Sequence, residues 1–458
     1  MTHSAAISQN PASAKRAPRW AWLLAFAVVV TMLAGVAFDR FAASRPPAAL
    51  DPASIRAGYG PATYAAALER AETHLTSARL SYAAGPGEWL RGEILARALV
   101  ARWRLTGDYR DLAEADALLD RGLAEAPDPS GPTLERAVLS VLVHRLDQAE
   151  TALARVSRAV VPEPADTADA AALNGDIALQ RGQLQLASQR FGQALGIDET
   201  TGIGLHGAIL DAYRGDRAQA AGGIEALIAR PRQQPAVLAA LMLQRANIAY
   251  WSGDWDKAER WIGAAQRVFP GYWLADAYAA QQFAIAGRTD DAIRAYGIVA
   301  RRTARPEVQD ALAHLLRLQG QGAASRAWAA KAAAGWEARA RLFPEAVVHH
   351  RAEHELTVGS AAKALTFAQA DATQRPQAPN LVILARALLS AGRAPEALAA
   401  LDRADAQGWV SAGQQMARAE VLAALGRTAD SAAARAKAEA INPRAANPRT
   451  RLIWFGHD

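Results

Sequence analysis

The sequence contains no cysteine, which excludes disulfide bonds, thiolate metal ligands, thiol catalysis and a lipid-modified cysteine. Aromatic residues are also scarce, at 7% of the 458 residues, whereas 51% are hydrophobic and many of these are alanine. Alanine favours helices but fills little volume in a core. The composition therefore predicts many closely packed helices in place of one thick hydrophobic core.

Lysine is nearly absent from the basic residues. Only five of the 51 basic residues are lysine, and the arginines are dispersed along the chain among Asp and Glu. The sequence has neither a block of like charge nor a stripe of alternating arginine and aromatic residues, although its net charge is +6. We therefore predict that the protein does not bind nucleic acid.

One long stretch without charge occurs at residues 20–38, WAWLLAFAVVVTMLAGVAF. Nineteen helical residues span about 28 Å, close to the ~30 Å hydrocarbon core of a bilayer. Lys15, Arg16 and Arg19 precede the stretch, and positive residues favour the cytoplasmic side. We predict a single transmembrane helix in the bacterial inner membrane, with residues 1–19 in the cytoplasm. A linker at residues 39–61 then leads to a periplasmic domain.

A cleaved signal peptide is the alternative for this stretch. Gly35, Val36 and Ala37 offer small residues at a suitable cleavage position. Cleavage would leave a soluble protein in the periplasm or outside the cell. The length of the hydrophobic stretch and of the leader before it favours the uncleaved anchor.

A pattern of small residues recurs through most of the remaining sequence. Around Gly182, small residues lie seven before and five and twelve after, and a large residue, Phe191, lies nine after. The same offsets hold around Gly253, Gly287 and Gly392, with looser copies elsewhere. The anchors are separated by 33 to 39 residues and are Gly107, His144, Gly182, Gly215, Gly253, Gly287, Gly320, Gly359, Gly392 and Gly426.

Each unit of this pattern is predicted to be a helical hairpin. The anchor glycine ends the first helix in a left-handed conformation, which costs glycine least. Small residues on both sides let the two helices approach closely, and the large residue nine after the anchor fills the gap between hairpins. One hairpin buries too little surface alone, so neighbours must stack, which predicts an all-α solenoid of about ten hairpins over residues 62–445.

The pattern resembles the tetratricopeptide repeat family over roughly residues 85–445, most specifically in the Gly182 and Gly253 units. The resemblance implies a right-handed superhelix whose inner face binds proteins or peptides, and it implies no chemistry and no cofactor. We therefore predict a non-enzymatic scaffold with a protein or peptide partner in the cell envelope.

A polar residue recurs six positions before the anchors, one step around the helix from the buried small residue. We expect this position to face the inner side of the superhelix, where it can hydrogen-bond an extended or helical segment. Trp251 lies near the same face and is a candidate aromatic contact. A merely solvated helix face is the alternative. The predicted partner groove comprises Asp176, Asn247, Trp251, Gln281, Glu353, Arg386 and Glu420.

Residues 202–207 match the dinucleotide-binding pattern G-x-G-x-x-G. A cofactor site of that kind needs a strand before the glycines and a phosphate at the start of the following helix. The polar residues 198–201 precede the motif instead. We interpret the motif as a loop and a helix start, and we predict no cofactor.

His350, Glu353 and His354 match the zinc-protease pattern H-x-x-E-H. Two histidines four apart share a helix face, as a zinc site requires. Ala352, however, occupies the small packing position of its unit, and no third ligand stands out. We predict surface histidines without a metal, and a metalloenzyme is the alternative.

Two aromatic clusters complete the sequence. Four tryptophans lie within residues 251–273 and are predicted to pack between hairpins. Residues 446–458 contain Ile453, Trp454 and Phe455. We predict that this C-terminal tail caps the last hairpin, and docking elsewhere is the alternative.

Overall fold

In the computed structural model, residues 50–158 and 163–456 are described, and no β-strand occurs in these ranges. The predicted cytoplasmic residues 1–19 and membrane helix 20–38 lie outside the described residues. Within the described ranges, no helix is both long and apolar enough to cross a bilayer. The 21 α-helices are α1 (Tyr64–Ala84), α2 (Trp89–Thr106), α3 (Tyr109–Glu125), α4 (Thr133–Leu142), α5 (Leu146–Val156), α6 (Pro164–Gln180), α7 (Leu184–Ile197), α8 (Thr201–Tyr213), α9 (Arg217–Ala229), α10 (Pro235–Trp251), α11 (Trp255–Val268), α12 (Trp273–Ile285), α13 (Thr289–Thr303), α14 (Pro306–Leu318), α15 (Gly322–Ala340), α16 (Pro344–Val358), α17 (Ala361–Gln374), α18 (Ala378–Ser390), α19 (Ala394–Asp405), α20 (Ala412–Ala424) and α21 (Thr428–Ile441).

The twenty helices after α1 pair into ten hairpins, from α2/α3 to α20/α21. Each second helix of a hairpin also contacts the first helix of the next hairpin, so the hairpins stack in chain order. The predicted all-α array of stacked hairpins is therefore confirmed. The right-handed sense of the superhelix stays a prediction.

The turn within each hairpin depends on a left-handed residue at the anchor position. Eight anchor glycines have φ between 68° and 90°, and His144, the one non-glycine anchor, has a φ of 63°. At Gly182 the turn is closed by two backbone bonds, from Gly182 N to Leu179 O at 2.9 Å and from Gln183 N to Ala178 O at 2.8 Å. This is the Schellman arrangement, which satisfies the last carbonyls of the first helix.

Gly359 does not follow the prediction, because its φ is −115°. The carboxylate of Glu355 accepts the N–H of Ser360 at 2.8 Å. That N–H is the group which elsewhere closes the left-handed turn onto a helix carbonyl. A side chain thus replaces the backbone acceptor at this anchor, and the left-handed residue is not needed.

The small residues of the repeat are the contact points between paired helices. The residue seven before the anchor is buried in all seven of the better copies: Gly175, Ala208, Ala246, Ala280, Ala352, Ala385 and Ala419. At Gly175 the approach leaves no room for a side chain, because a Cβ there would lie 2.5 Å from Cδ1 of Phe191. The glycine in the middle of α6 therefore makes room for the large residue of α7.

Hairpins distant in the sequence also touch. The backbone carbonyl of Leu105 accepts a hydrogen bond from the Arg305 guanidinium at 3.0 Å, and Gln374 donates to the carbonyl of His144 at 3.1 Å. Further along, Val410 N donates to the carbonyl of Tyr213 at 2.8 Å. The turn of one hairpin thus meets the chain about 200 residues later at several levels of the stack.

The described part of the predicted 39–61 linker packs on the helical array. Gly58 N donates to the carbonyl of Gln233 at 2.9 Å, and Tyr64 N donates to the carbonyl of Pro270 at 3.0 Å. The ring of Tyr64 also lies 6.3 Å from that of Phe269. Residues 58–64 are therefore held against the loops that follow α9 and α11.

Candidate functional site

The candidate site lies where α10, α12 and α14 present polar side chains to residues 453–456, called here the 453–456 segment. Asn247 and Trp251 come from α10, Gln281 from α12 and His314 from α14. Asn247, Gln281 and His314 each stand six residues before the anchor of their hairpin. The repeat therefore places three polar side chains at equivalent positions of consecutive hairpins.

Gln281 makes the most specific contact with this segment. Its Oε1 accepts the N–H groups of Trp454 and Phe455, both at 2.7 Å, and its Nε2 donates to the carbonyl of Phe455 at 3.0 Å. The Gln281 side chain is fully buried. A buried amide is costly unless its hydrogen bonds are made, and here backbone groups of the segment make them.

Trp251 and Asn247 hold the end of the segment. The indole Nε1 of Trp251 donates to the carbonyl of Gly456 at 2.9 Å. Gly456 has a φ of 72°, and a Cβ there would lie 2.6 Å from Cγ of Asn247. The position therefore requires glycine for its backbone conformation and for the close approach of Asn247.

Phe455 fills an aromatic pocket. Its ring centroid lies 5.7 Å from that of Tyr278 and 6.5 Å from that of Tyr296, and the residue is buried. The Tyr278 hydroxyl donates to Oδ1 of Asn247 at 2.7 Å. Burial raises the pKa of Tyr278, although the hydrogen bond with Asn247 opposes that effect. The Tyr278 hydroxyl consequently stays protonated and keeps Asn247 in place.

His314 extends the site by one hairpin and is absent from the predicted groove. Its Nε2 donates to the carbonyl of Arg451 at 2.9 Å, and its ring lies 5.9 Å from that of Trp454. Burial lowers the pKa of the His314 imidazole, which favours the neutral ring. His314 could have been predicted from its position six residues before Gly320, but the rest of that unit matches the repeat pattern weakly.

The structure brings together only part of the predicted groove. Asn247, Trp251 and Gln281 meet at the 453–456 segment, whereas Asp176 Oδ1 lies 3.0 Å from His206 Nδ1 in another hairpin. Glu353 Oε2 lies 3.3 Å from His350 Nδ1. The other two predicted residues, which lie on α18 and α20, are Arg386 and Glu420.

The prediction that Trp454 and Phe455 cap the last hairpin is wrong. The hydrogen bonds and ring contacts described above join them to α12, α13 and α14. At the last hairpin, Ala445 packs with Met416, Ile441 and small residues of α20 and α21. The Phe455 ring instead packs between the rings of Tyr278 and Tyr296.

The histidine motif is structural on this geometry. His354 is buried, in contrast to the predicted surface position, and its Nδ1 lies 2.6 Å from Oδ1 of Asp310. The indole of Trp336 donates to the other oxygen of Asp310 at 2.7 Å. Burial raises the pKa of Asp310, and the hydrogen bonds from His354 and Trp336 oppose it. Among the described residues, no group of three or more His, Asp or Glu is arranged to hold a metal ion.

The remaining motifs are also part of the packing. Residues 202–207 lie inside α8, in the first turns of a helix with no preceding strand. Trp255, Trp261 and Trp273 are buried, whereas Trp251 is half-buried and reaches the 453–456 segment. That the three buried tryptophans pack between hairpins stays a prediction.

No family model and no curated protein matches the sequence. Several solved structures align with the fold. A chain of the APC/C hetero-tetramer Cut9–Hcn1 aligns at a TM-score of 0.39 and 17% identity, over 80% of this chain and 75% of that chain. A tetratricopeptide repeat protein from Parabacteroides merdae aligns at 0.34 and 16%, over 55% of this chain and 98% of its own. A Rap protein complexed with competence and sporulation factor aligns at 0.43 and 12%, over 84% and 98%. All three TM-scores are below 0.5, and we draw no conclusion about this chain from these alignments.

Proposed function

We propose that the protein is a non-enzymatic, tetratricopeptide-like scaffold that binds a polypeptide segment of a partner protein in the groove of α10, α12 and α14. The observation that carries this proposal is the Gln281 amide, which makes three hydrogen bonds to the backbone of the 453–456 segment. Every polypeptide offers these backbone groups, so the arrangement suits a protein ligand.

The groove also makes contacts beyond the hydrogen bonds of Gln281. Trp251 binds the next backbone carbonyl, and the pocket between Tyr278 and Tyr296 accepts a ring. An aromatic anchor in a pocket with backbone hydrogen bonds around it is the usual composition of a binding hot spot. Since these side chains lie on helices of stacked hairpins, the site is already formed before a ligand binds.

We place this scaffold at the bacterial inner membrane, with the helical array in the periplasm. The support comes from residues 20–38 and from the positive residues Lys15, Arg16 and Arg19 before them. A reporter that is active only outside the cytoplasm, fused after Asp458, should be active. The protein should also stay in the membrane pellet after a high-salt wash. Release into the soluble periplasm would support the alternative, a soluble protein produced by signal cleavage.

Crosslinking in cells tests the groove. Wild type and two variants are compared, Gln281→Met and Gln282→Met, and the attached proteins are identified by mass spectrometry. Both glutamines are buried on α12, but Gln282 bonds Tyr250 and the carbonyl of Trp255, away from the 453–456 segment. Methionine keeps the length of the side chain and removes the amide hydrogen bonds.

The expected result is that Gln281→Met loses the partner, while Gln282→Met retains it at equal expression and helicity. Equal recovery of the same partners with both variants would show that binding occurs elsewhere on the array.

A further inference from the structure

We propose that the 453–456 segment is an internal ligand of the groove, and that a partner binds by presenting a segment of the same chemistry, an aromatic–Phe–Gly turn, in its place. This inference rests on the proposed function and names the kind of polypeptide that the groove takes. It also implies that the 453–456 segment competes with the partner for the groove.

The backbone conformation of the segment defines the first requirement. Two consecutive N–H groups, of Trp454 and Phe455, point at the single oxygen Oε1 of Gln281. Consecutive N–H groups converge in this way where the chain turns, and not in an extended strand. Phe455 and Gly456 lie in a turn, and Gly456 is left-handed. The bound form is thus a turn, in contrast to the extended or helical segment expected from the sequence.

The side chains define the second requirement. Phe455 is buried between the rings of Tyr278 and Tyr296, whereas Trp454 is half-buried beside His314. Gly456 cannot be replaced without overlap with Asn247. The groove therefore requires glycine at the position of Gly456, favours an aromatic ring at that of Phe455 and accepts a large aromatic residue before it.

The segment is attached to the array by a chain that also makes its own contacts. Arg449 donates to the carbonyl of Ile285 at 3.4 Å, and Arg451 is held by His314. This tether keeps the segment near the groove, and a tethered ligand acts at an effective concentration of about a millimolar or more. A free ligand can consequently bind only those molecules whose groove is open, and this lowers the apparent affinity of the protein for the ligand.

The experiment measures binding of a fluorescein-labelled peptide, acetyl-Thr-Arg-Leu-Ile-Trp-Phe-Gly-amide, to the full chain by fluorescence anisotropy. The peptide has the sequence of residues 450–456. It is titrated with wild type and with the opened variant Trp454→Ala/Phe455→Ala. The opened variant is also combined with Gln281→Met and, as the matched control, with Gln282→Met.

The peptide should bind the opened variant at least about tenfold more tightly than wild type, because its competitor is gone. Adding Gln281→Met should abolish this binding, and adding Gln282→Met should preserve it. A peptide in which Phe is replaced by Ala should not bind. Equal affinity for wild type and the opened variant, or an absence of binding to a folded opened variant, would overturn the proposal.

A second way to open the groove covers the case in which the double variant loses its helical circular dichroism signal. Gly456→Ala undocks the segment by overlap with Asn247 and leaves both aromatic side chains unchanged. The same affinity comparison and the same outcomes apply to it. The peptide assay needs no cellular partner, so its failure is distinct from a failure of crosslinking. If crosslinks depend on Gln281 but the peptide does not bind, the proposed scaffold function is supported and the proposal of an internal ligand is wrong.

Discussion

The ring of Phe191 occupies the space in which Gly175 would carry a Cβ, 2.5 Å from the ring carbon Cδ1. Phe191 is buried and its ring stacks on His206, with ring centroids 4.9 Å apart. A shift of the ring away from Gly175 would disturb this stacked contact. This contact explains why a helix-breaking residue stands in the middle of α6, and it makes the glycine a packing residue of the repeat.

Replacing Gly175 with alanine is expected to destabilise the protein in spite of the higher helix propensity of alanine. Alanine improves a helix by about 1 kcal/mol, but overpacking against a fixed ring costs about 1–3 kcal/mol. Gly192 lies in α7 with nothing within 4 Å of its would-be Cβ, so Gly192→Ala is the matched control and should stabilise. Urea unfolding midpoints measure both. Equal stabilisation by the two variants would contradict the packing argument.

Removing the His354 side chain should destabilise the protein by about 2–4 kcal/mol, because Asp310 is then left buried with one hydrogen-bond partner fewer. The exposed His350 of the same motif is the control. His350→Ala should change the free energy of unfolding by less than about 1 kcal/mol. Chemical denaturation at neutral pH separates the two. The opposite order of effects would exclude the structural role assigned to His354.

The pH dependence of stability should report His144. Burial and the charge of Arg375 lower the pKa of its imidazole to about 3, and its Nδ1 lies 2.8 Å from Oε1 of Gln180. The unfolded chain titrates near the ordinary histidine value, about 6.5. Between these two values the unfolded state binds more protons, so this group makes stability fall as pH decreases through that window.

The variant His144→Asn removes this titration and tolerates the left-handed φ of 63°. Its loss of unfolding free energy between pH 7 and pH 4.5 should be smaller than that of wild type. His74 is exposed on α1, and His74→Asn should keep the wild-type difference. If both variants lose stability with acid as steeply as wild type does, His144 is not the titrating group.

The repeat was readable from the sequence because it depends on local geometry. A left-handed turn favours glycine, and closely spaced helices need small residues. The roles of Gly182 and Ala246 therefore depend only on the hairpin in which each residue lies. His144 and Gly359 show the limits of this logic. At one anchor His144 adopts the left-handed conformation in place of glycine. At the other, Gly359, the Glu355 carboxylate accepts the N–H of Ser360, and no left-handed residue is needed.

The candidate site could be predicted only in part. The offset of six residues identified Asn247 and Gln281, but it also gave Asp176, which pairs with His206 in another hairpin. The occupant could not be predicted, because Phe455 meets Gln281 across more than 170 residues of chain. Such a contact follows from how the hairpins stack, and no local sequence pattern encodes it.

Replacing Arg305 with lysine should loosen the contact between hairpins far apart in sequence, although the charge is kept. The Arg305 guanidinium donates to the carbonyl of Leu105 and lies 3.9 Å from the centroid of the Trp273 ring. A planar guanidinium can stack and donate at once, whereas an ammonium is a compact and strongly hydrated charge. Arg305 is buried, and this burial lowers the pKa of its guanidinium.

The expected result for Arg305→Lys is a loss of about 1–3 kcal/mol in unfolding free energy, with faster hydrogen exchange at the amides around Gly107. Arg302→Lys is the matched control, because Arg302 forms an exposed ion pair with Asp276 at 2.7 Å and such pairs contribute at most about 1 kcal/mol. Exchange near Gly107 should stay unchanged in the control. If Arg305→Lys leaves that exchange unchanged as well, the hydrogen bond to Leu105 does not hold these two hairpins together.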